Sequence, residues 1–256
     1  MRNETEKLSI LRVTGQATSE IEDTVVREIS LTISLNNQEL VTLLCSPTKL
    51  EYLATGFLLS QGLIDSKDDI KKITINDKVS TAYIETQKTV DVPVNCILAS
   101  SGGRNTTIPN VQKVSVEPQM KLSAPQVFSL MNDFVQLSTV FKSTGGVHSA
   151  ALCDTKDILI FSEDIGRHNA IDKILGECLL KNISTDNHFI ITSGRVSSEI
   201  LLKIAKRNIP ILISKSAPTD QGVKLANDLD VTLVAFVREK RMNIYANNWR
   251  IVTDGE

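Results

Sequence analysis

The sequence lacks the features that would mark a membrane, secreted or metal-binding protein. No apolar run approaches the ~20 residues of a membrane-spanning helix. The first residues lack the basic start and apolar stretch of a secretory signal. The cysteines Cys45, Cys96, Cys153 and Cys178 form no C-x-x-C pair, and the three histidines are scattered. We therefore expect a cytoplasmic protein with reduced thiols and no metal of its own.

An excess of charge of one sign is also missing. The 256 residues include 28 basic and 30 acidic side chains, a formal net charge of −2. No global basic field would recruit nucleic acid or an anionic membrane. Apolar residues make up 41% and charged residues 23%, which excludes a disordered, collagen-like or coiled-coil chain. The length predicts one large domain or two modest ones, with a core that needs no disulfide.

The first half of the chain is predicted to be rich in β-strands. Asn36-Asn37 is typical of a hairpin turn, and a helix opening near Pro47 would end at Gly62, a left-handed cap position. The stretch SSGGRNTTIPN predicts a mobile loop near residues 98–110. The predicted strands span residues 25–35, 39–46, 70–75 and 79–86.

The second half alternates strands and helices. Ser123 is a candidate N-cap for a helix with Val127 and Phe141 on one face, and the last predicted helix begins near Pro218. Short apolar strands between helices favour an α/β fold with a mostly parallel sheet covered on both faces. The predicted strands span residues 146–153, 157–164, 188–193, 210–214, 231–237 and 242–246.

Polar residues collect where these strands end, which is where open α/β sheets bind ligands. Each group has a structural alternative: a core histidine, a helix cap, a Ser-Gly turn or a solvated basic turn. Together they favour a site for a polyanionic nucleotide, whose phosphates backbone N–H groups and arginines can hold. No G-x-G-x-x-G or P-loop is present. The candidate residues are His148, Asp164, Arg167, His168, Ser193, Gly194, Arg195, Ser216 and the FVREKR turn at residues 236–241.

Several of these segments carry a family resemblance. STGGVHSAAL, EDIGRHNAIDKILG, TSGRVSSEILLKIAKRNIPILISKSAPTDQGVKLA and VTLVAFVREKRMNIY, with GFLLSQGLI in the first half, resemble the formate dehydrogenase accessory family FdhD. The resemblance runs from about Val25 to the last residue. It implies a cytidine-deaminase-like α/β domain over residues 116–256, behind a smaller β-rich domain over residues 1–115, and a homodimer.

The resemblance also implies a function. Members of the family take sulfur as a persulfide from a cysteine desulfurase and pass it to the molybdenum bis(molybdopterin guanine dinucleotide) cofactor, which then enters formate dehydrogenase. Deamination is not expected, because zinc deaminases need a His-x-Glu and a C-x-x-C, and the chain has His148-Ser149-Ala150. The family's cofactor-binding stretch corresponds to Phe236, Val237, Arg238, Glu239, Lys240 and Arg241.

One departure affects the sulfur chemistry. The family carries its sulfur on a loop cysteine, and the equivalent loop here has Ser100-Ser101-Gly102-Gly103. A serine cannot form a persulfide, because attack on sulfur needs a thiolate. Cys96 is the nearest thiol and the candidate catalytic residue; the alternative is a small buried residue near a strand end. Three hypotheses stay open: a sulfur carrier using Cys96, a chaperone that only binds cofactor, and a nucleotide-binding regulatory or structural module.

Overall fold

A computed structural model describes residues 3–76, 78–88 and 120–253. In these residues the chain is α/β, as predicted. A hairpin and a four-stranded sheet come first, and a six-stranded sheet follows. The described helices are α1 (Leu50–Gln61), α2 (Ala124–Leu137), α3 (Thr139–Thr144), α4 (Arg167–Lys181), α5 (Ser198–Ala205) and α6 (Asp220–Asp228). In these segments no helix has the length and apolar character needed to cross a membrane.

The four-stranded sheet agrees with the sequence prediction in outline. Asn36 and Asn37 both have positive φ, 50° and 66°, as a two-residue hairpin turn requires. Gly62 ends α1 in the left-handed conformation. The strand order is β4-β3-β6-β5, with β3 and β6 parallel. The strands are β3 (Ile29–Leu35), β4 (Gln38–Cys45), β5 (Ile70–Asn76) and β6 (Thr81–Thr86).

A hairpin that the sequence analysis did not predict precedes this sheet. Strands β1 (Thr5–Thr14) and β2 (Ala17–Val26) pair only with each other around Gly15, which has φ 63°. The expected single strand over residues 25–35 is therefore wrong, because β2 ends at Val26 before β3 begins. Most side chains on both faces of the hairpin are exposed, and the apolar register of β1 shifts between Ile10 and Leu11, so no single apolar face runs along it.

The six-stranded sheet is mixed, and the expectation of a mostly parallel sheet is wrong. Its order is β13-β12-β11-β10-β8-β9, and only β10, β11 and β12 run parallel. The β8–β9 and β12–β13 links are short hairpins, which impose antiparallel pairing. The strands are β8 (His148–Cys153), β9 (Ile158–Asp164), β10 (Phe189–Thr192), β11 (Ile211–Ser214), β12 (Thr232–Arg238) and β13 (Arg241–Ala246); β7 (Leu122–Ser123) and β14 (Ile251–Val252) form a separate pair.

Two helix predictions have different outcomes. Ser123 caps α2, since its hydroxyl accepts from the Gln126 backbone N–H, as predicted. Phe141 does not share the buried face of α2, because that helix ends at Leu137 and Phe141 lies on α3 with 44% of its surface exposed. The Ser138 hydroxyl donates to the Phe134 carbonyl at this break.

Both faces of the six-stranded sheet are covered, as predicted. Alternate residues of β10, β11 and β12 enter two separate apolar clusters. The larger cluster also holds side chains of β3, α1 and α4, so it joins the two sheets. The glycines Gly56 and Gly176 let α1 and α4 approach closely: a Cβ on Gly176 would lie 2.0 Å from the Tyr52 carbonyl oxygen. The cytidine-deaminase-like description and the division at residues 115/116 stay predictions.

Candidate functional site

The strand pairing brings the predicted site residues to one edge of the six-stranded sheet. His148, which begins β8, pairs with Asp164, which ends β9. Ala150 pairs with Thr192 at the end of β10, and the ends of β11 and β12 follow in the same direction. We call the following set the polar edge: His148, Arg167, His168, Ser193, Gly194, Arg195, Lys215, Ser216 and Arg238.

A cavity of about 400 Å³ opens on this edge. Its apolar lining is formed by side chains of α2, α3 and the segments that precede β8 and α4. Its polar lining carries hydroxyl, imidazole and cationic groups. An apolar lining with a few polar groups is typical of small-molecule sites. The apolar lining includes Phe134, Val135, Phe141, Val147 and Ile165, and the polar lining includes His148, Ser193, Lys215, Ser216 and Arg238.

His148 and Ser193 form the centre of the edge. The Ser193 hydroxyl oxygen accepts from the Ser149 backbone N–H at 2.9 Å and lies 3.3 Å from His148 Nδ1. Burial lowers the pKa of His148, and the nearby Arg167 lowers it further. The imidazole is therefore neutral at neutral pH. If Ser193 donates to Nδ1, the Nε2 atom carries the proton and can donate to a ligand.

Two turns beyond β10 and β11 hold this arrangement. Gly194 N–H donates to the Thr192 hydroxyl at 3.1 Å, and the Ser214 hydroxyl donates to the Gly194 carbonyl at 2.8 Å. Position 194 must be glycine, because an added Cβ would lie 2.7 Å from the Arg167 Cβ. Arg167, at the start of α4 just after β9, therefore packs on the turn that carries Ser193. The segments that follow β9, β10 and β11 position the polar edge together.

In the described part of the chain, the cations of the polar edge have no ion-pair partner. Within the described ranges, no carboxylate lies within 4 Å of the basic groups of Arg167, Arg195, Lys215 or Arg238. Burial, and then the neighbouring charge of Arg195, lower the pKa of Arg167, against a smaller opposing effect of the Glu199 carboxylate. Its Nε is buried and makes no hydrogen bond to a described residue. A cluster of positive charge in a partly enclosed site favours an anionic ligand.

The residues of the FVREKR turn differ in whether they line the cavity. Arg238 lines the cavity, whereas the exposed Glu239, Lys240 and Arg241 are not among its lining residues. Val237 is 1% exposed and packs in the core. A bulge between Ala235 and Arg238 interrupts the pairing with β13. There, Phe236 adopts φ 54° and its N–H donates to the Ser216 carbonyl at 3.2 Å.

Asp164 lies beneath the polar edge rather than on it. Its side chain is fully buried and pairs with Lys173 Nζ at 2.7 Å. It also accepts from the Gly166 N–H, the Asn169 side-chain amide and the Ser46 N–H, at 2.9, 2.9 and 3.1 Å. These bonds use the carboxylate's acceptor capacity. Asp164 therefore holds the start of α4, which carries Arg167 and His168, against the first sheet.

Sequence reasoning did not single out Lys173 or Glu199. Lys173 follows Asp172 inside an apolar helical pattern, and a charge at such a position must be paired. This pattern could have predicted that Lys173 forms a buried ion pair. Glu199 lies in the first turn of α5, where an acidic residue is ordinary. Its Oε2 lies 3.6 Å from His168 Nε2, and this proximity depends on tertiary structure.

The described cysteines are unsuited to sulfur transfer. Cys45 and Cys153 are 0% exposed and Cys178 is 3% exposed. Burial raises the pKa of the Cys153 thiol, and burial and then Glu177 raise that of Cys178 to about 12. Cys96, the Ser100–Gly103 loop and the predicted mobile loop near 98–110 lie outside the described residues. Within the described part of the chain, no cluster of three or more His, Cys, Asp and Glu side chains could hold a metal.

The fold and site define an α/β protein with a basic edge on a mixed sheet. The chain belongs to the FdhD/NarQ family, whose model matches residues 26–252. It is 41% identical over 241 residues to the sulfur carrier protein FdhD of Bacillus subtilis, covering 91% of this chain and 92% of that one. It is 39% identical over 252 residues to the protein of that name from Staphylococcus haemolyticus, covering 95% of each.

A solved structure is also similar. A crystal structure of a Desulfotalea psychrophila protein, described as a formate dehydrogenase accessory protein, superposes with a TM-score of 0.81. It has 25% sequence identity and covers 98% of this chain and 100% of that one. The family predicted from the sequence motifs is therefore confirmed.

Proposed function

We propose that this chain is a sulfur-carrying accessory protein for formate dehydrogenase and binds the guanine-dinucleotide form of the molybdenum cofactor as cargo at the polar edge. The observation that carries the proposal is a set of cations with no ion-pair partner among the described residues, beside a partly apolar cavity. Arg167, Arg195, Lys215 and Arg238 would meet the cofactor's phosphates, since guanidinium groups match phosphate geometry. The apolar lining, which includes Phe141, would take a planar ring.

The sulfur would travel on Cys96. Its thiolate attacks the terminal sulfur of the persulfide on a cysteine desulfurase, the sulfur–sulfur bond of the donor breaks, and the donor cysteine leaves as a thiolate. Elimination supports this assignment. The other three cysteines are buried, and a buried thiol neither ionises readily nor meets a partner protein. The sulfur then passes to the cofactor before its insertion into formate dehydrogenase.

A second function has an observation in its favour. The loop Ser100–Gly103 has no cysteine at the family's usual position. The chain would then bind and deliver the cofactor as a chaperone, and another protein would supply the sulfur. Both functions use the same polar edge and differ only at Cys96. In either case we propose a cytoplasmic homodimer whose partners are formate dehydrogenase and, for the carrier, a cysteine desulfurase.

Intact-mass measurement separates the two functions. The purified protein is incubated with a cysteine desulfurase and cysteine, alongside Cys96→Ala and the matched Cys178→Ala. A carrier gains one cyanide-labile sulfur atom in the wild type and in Cys178→Ala, and gains none in Cys96→Ala. If the wild type gains no sulfur while a relative with the loop cysteine does, sulfur transfer by this chain is excluded and the chaperone function stands.

A further inference from the structure

One bulky residue close to the cavity has a strained backbone. Phe236 adopts φ 54°, in the left-handed region that bulky side chains rarely adopt because it costs free energy. Its ring is only partly buried, and among the described residues neither apolar cluster includes it. Backbone strain that packing does not explain is concentrated at functional sites. The conformation of Phe236 therefore points to a function of this residue.

The left-handed residue reverses the faces of β12. Alternate residues of a regular strand share a face, and Leu233 and Val234 accordingly belong to different apolar clusters. Alternation would place Val237 with Leu233, but Val237 packs with Val234 in the smaller cluster. The reversal coincides with the bulge that precedes Arg238, where Phe236 is the β12 residue with positive φ. A bulge of this kind redirects the side chains that follow it.

Phe236 also joins two segments that line the cavity. Its N–H donates to the Ser216 carbonyl at 3.2 Å, and Ser216 lines the cavity together with Lys215. The turn that carries them is fixed, because the Ser216 N–H donates to the Ser214 hydroxyl at 2.9 Å. Arg238 lies two residues beyond Phe236 and lines the same cavity. The bulge therefore sets the position of Arg238 relative to a fixed turn.

We propose that Phe236 is a positioning residue whose left-handed backbone, and not its ring, places Arg238 beside Lys215 and Ser216 to hold an anionic group. A guanidinium binds phosphate through a fork of fixed geometry, so a change in the course of the backbone two residues away weakens the contact. The inference rests on the proposed function and deepens it. It assigns the orientation of Arg238 to a residue that does not itself touch the cargo.

The test separates backbone conformation from ring contact. Phe236→Ala removes the ring alone, and Phe236→Gly removes the ring and the strain, since glycine adopts positive φ readily. Phe236→Val introduces a β-branched side chain, which disfavours this φ most strongly; Phe236→Thr is a second β-branched variant if Phe236→Val does not fold. Calorimetric titration with guanosine diphosphate measures binding, and thermal melting measures stability.

Tyr83 is the matched control position. It is an aromatic residue in strand β6 of the other sheet, is 43% exposed and does not have a positive φ. The same changes to alanine, glycine and valine are made there. At this ordinary strand position glycine should melt below alanine, and no Tyr83 variant should change the affinity for guanosine diphosphate.

At position 236 we expect the alanine and glycine variants to bind guanosine diphosphate like the wild type. Phe236→Val should bind it about 10- to 100-fold more weakly, the loss of one charged hydrogen bond. Phe236→Gly should melt about 2–4 °C above Phe236→Ala, because only glycine is unstrained at this φ. A merely structural role of the ring would instead lower the melting temperature and the affinity together in both variants.

Two results would overturn the inference while the proposed function stands. If Phe236→Ala binds the nucleotide as weakly as Phe236→Val, the ring contacts the ligand. If Phe236→Val or its threonine counterpart binds like the wild type, the conformation of residue 236 does not orient Arg238. A third result is different: if the wild type does not bind guanosine diphosphate, cofactor binding at the polar edge fails and the inference fails with it.

Discussion

Charged residues on the two sides of the β9–α4 junction have opposite environments. Below the junction, Asp164 and Lys173 are fully buried, pair at 2.7 Å and bond to further backbone and side-chain groups. Above it, Arg167 Nε and His168 Nε2 are buried and make no hydrogen bond to any described residue, and His168 Nε2 lies 3.6 Å from Glu199 Oε2. A fully paired ion pair that holds the fold therefore lies a few residues from groups that we propose bind the cargo.

Breaking the buried Asp164–Lys173 ion pair should have the largest effect on the free energy of unfolding. Lys173→Met leaves the Asp164 carboxylate buried without its countercharge, and we expect a loss of about 3–5 kcal/mol in the free energy of unfolding. Urea denaturation measures it. The double variant Asp164→Asn/Lys173→Met should recover part of the loss, because no lone charge remains. Arg167→Met, on the upper side, should cost less than about 1 kcal/mol; equal losses for Lys173→Met and Arg167→Met would contradict the comparison.

The buried His168 should make the stability of the protein depend on pH. His168 has a folded-state pKa of about 3, below its unfolded value, because burial and then Lys203 disfavour its charged form. The unfolded state therefore binds more protons, and stability falls as pH drops from about 6.5 towards 3. Between pH 7.5 and pH 5, His168→Gln should lose about 1–2 kcal/mol less than the wild type. Identical pH profiles in urea denaturation would show that His168 is not held neutral.

The sequence predicts the polar edge because a general rule locates it. His148, Ser193, Ser216 and Arg238 lie at strand ends, and α/β sheets bind ligands there. The rule does not require every strand to be parallel. The start of an antiparallel β8 therefore brings His148 to the same edge. Hairpin turns and helix caps, such as Asn36-Asn37 and Ser123, were predictable because they depend on nearby residues.

Features that depend on distant contacts were not predictable. Asp164 resembles an ordinary helix-capping residue in the sequence. Its partnership with Lys173 and Ser46 appears only when α4 packs between the two sheets. The β1–β2 hairpin buries neither face, and its apolar register shifts between Ile10 and Leu11, so hydrophobic periodicity gives no continuous signal for it. Glu199 is adjacent to His168 only through the packing of α5 beside α4.

The central claim is that the polar edge binds a guanine-nucleotide cargo through its unpaired cations. Calorimetric titration with guanosine diphosphate tests it on the wild type, on Lys215→Ala/Arg238→Ala, and on Lys71→Ala/Lys72→Ala, which removes two charges from β5 of the other sheet. Each lost charged hydrogen bond should cost about 1.5–3 kcal/mol, so the Lys215/Arg238 variant should bind at least tenfold more weakly and the Lys71/Lys72 variant normally. Equal affinity in all three proteins would contradict the account.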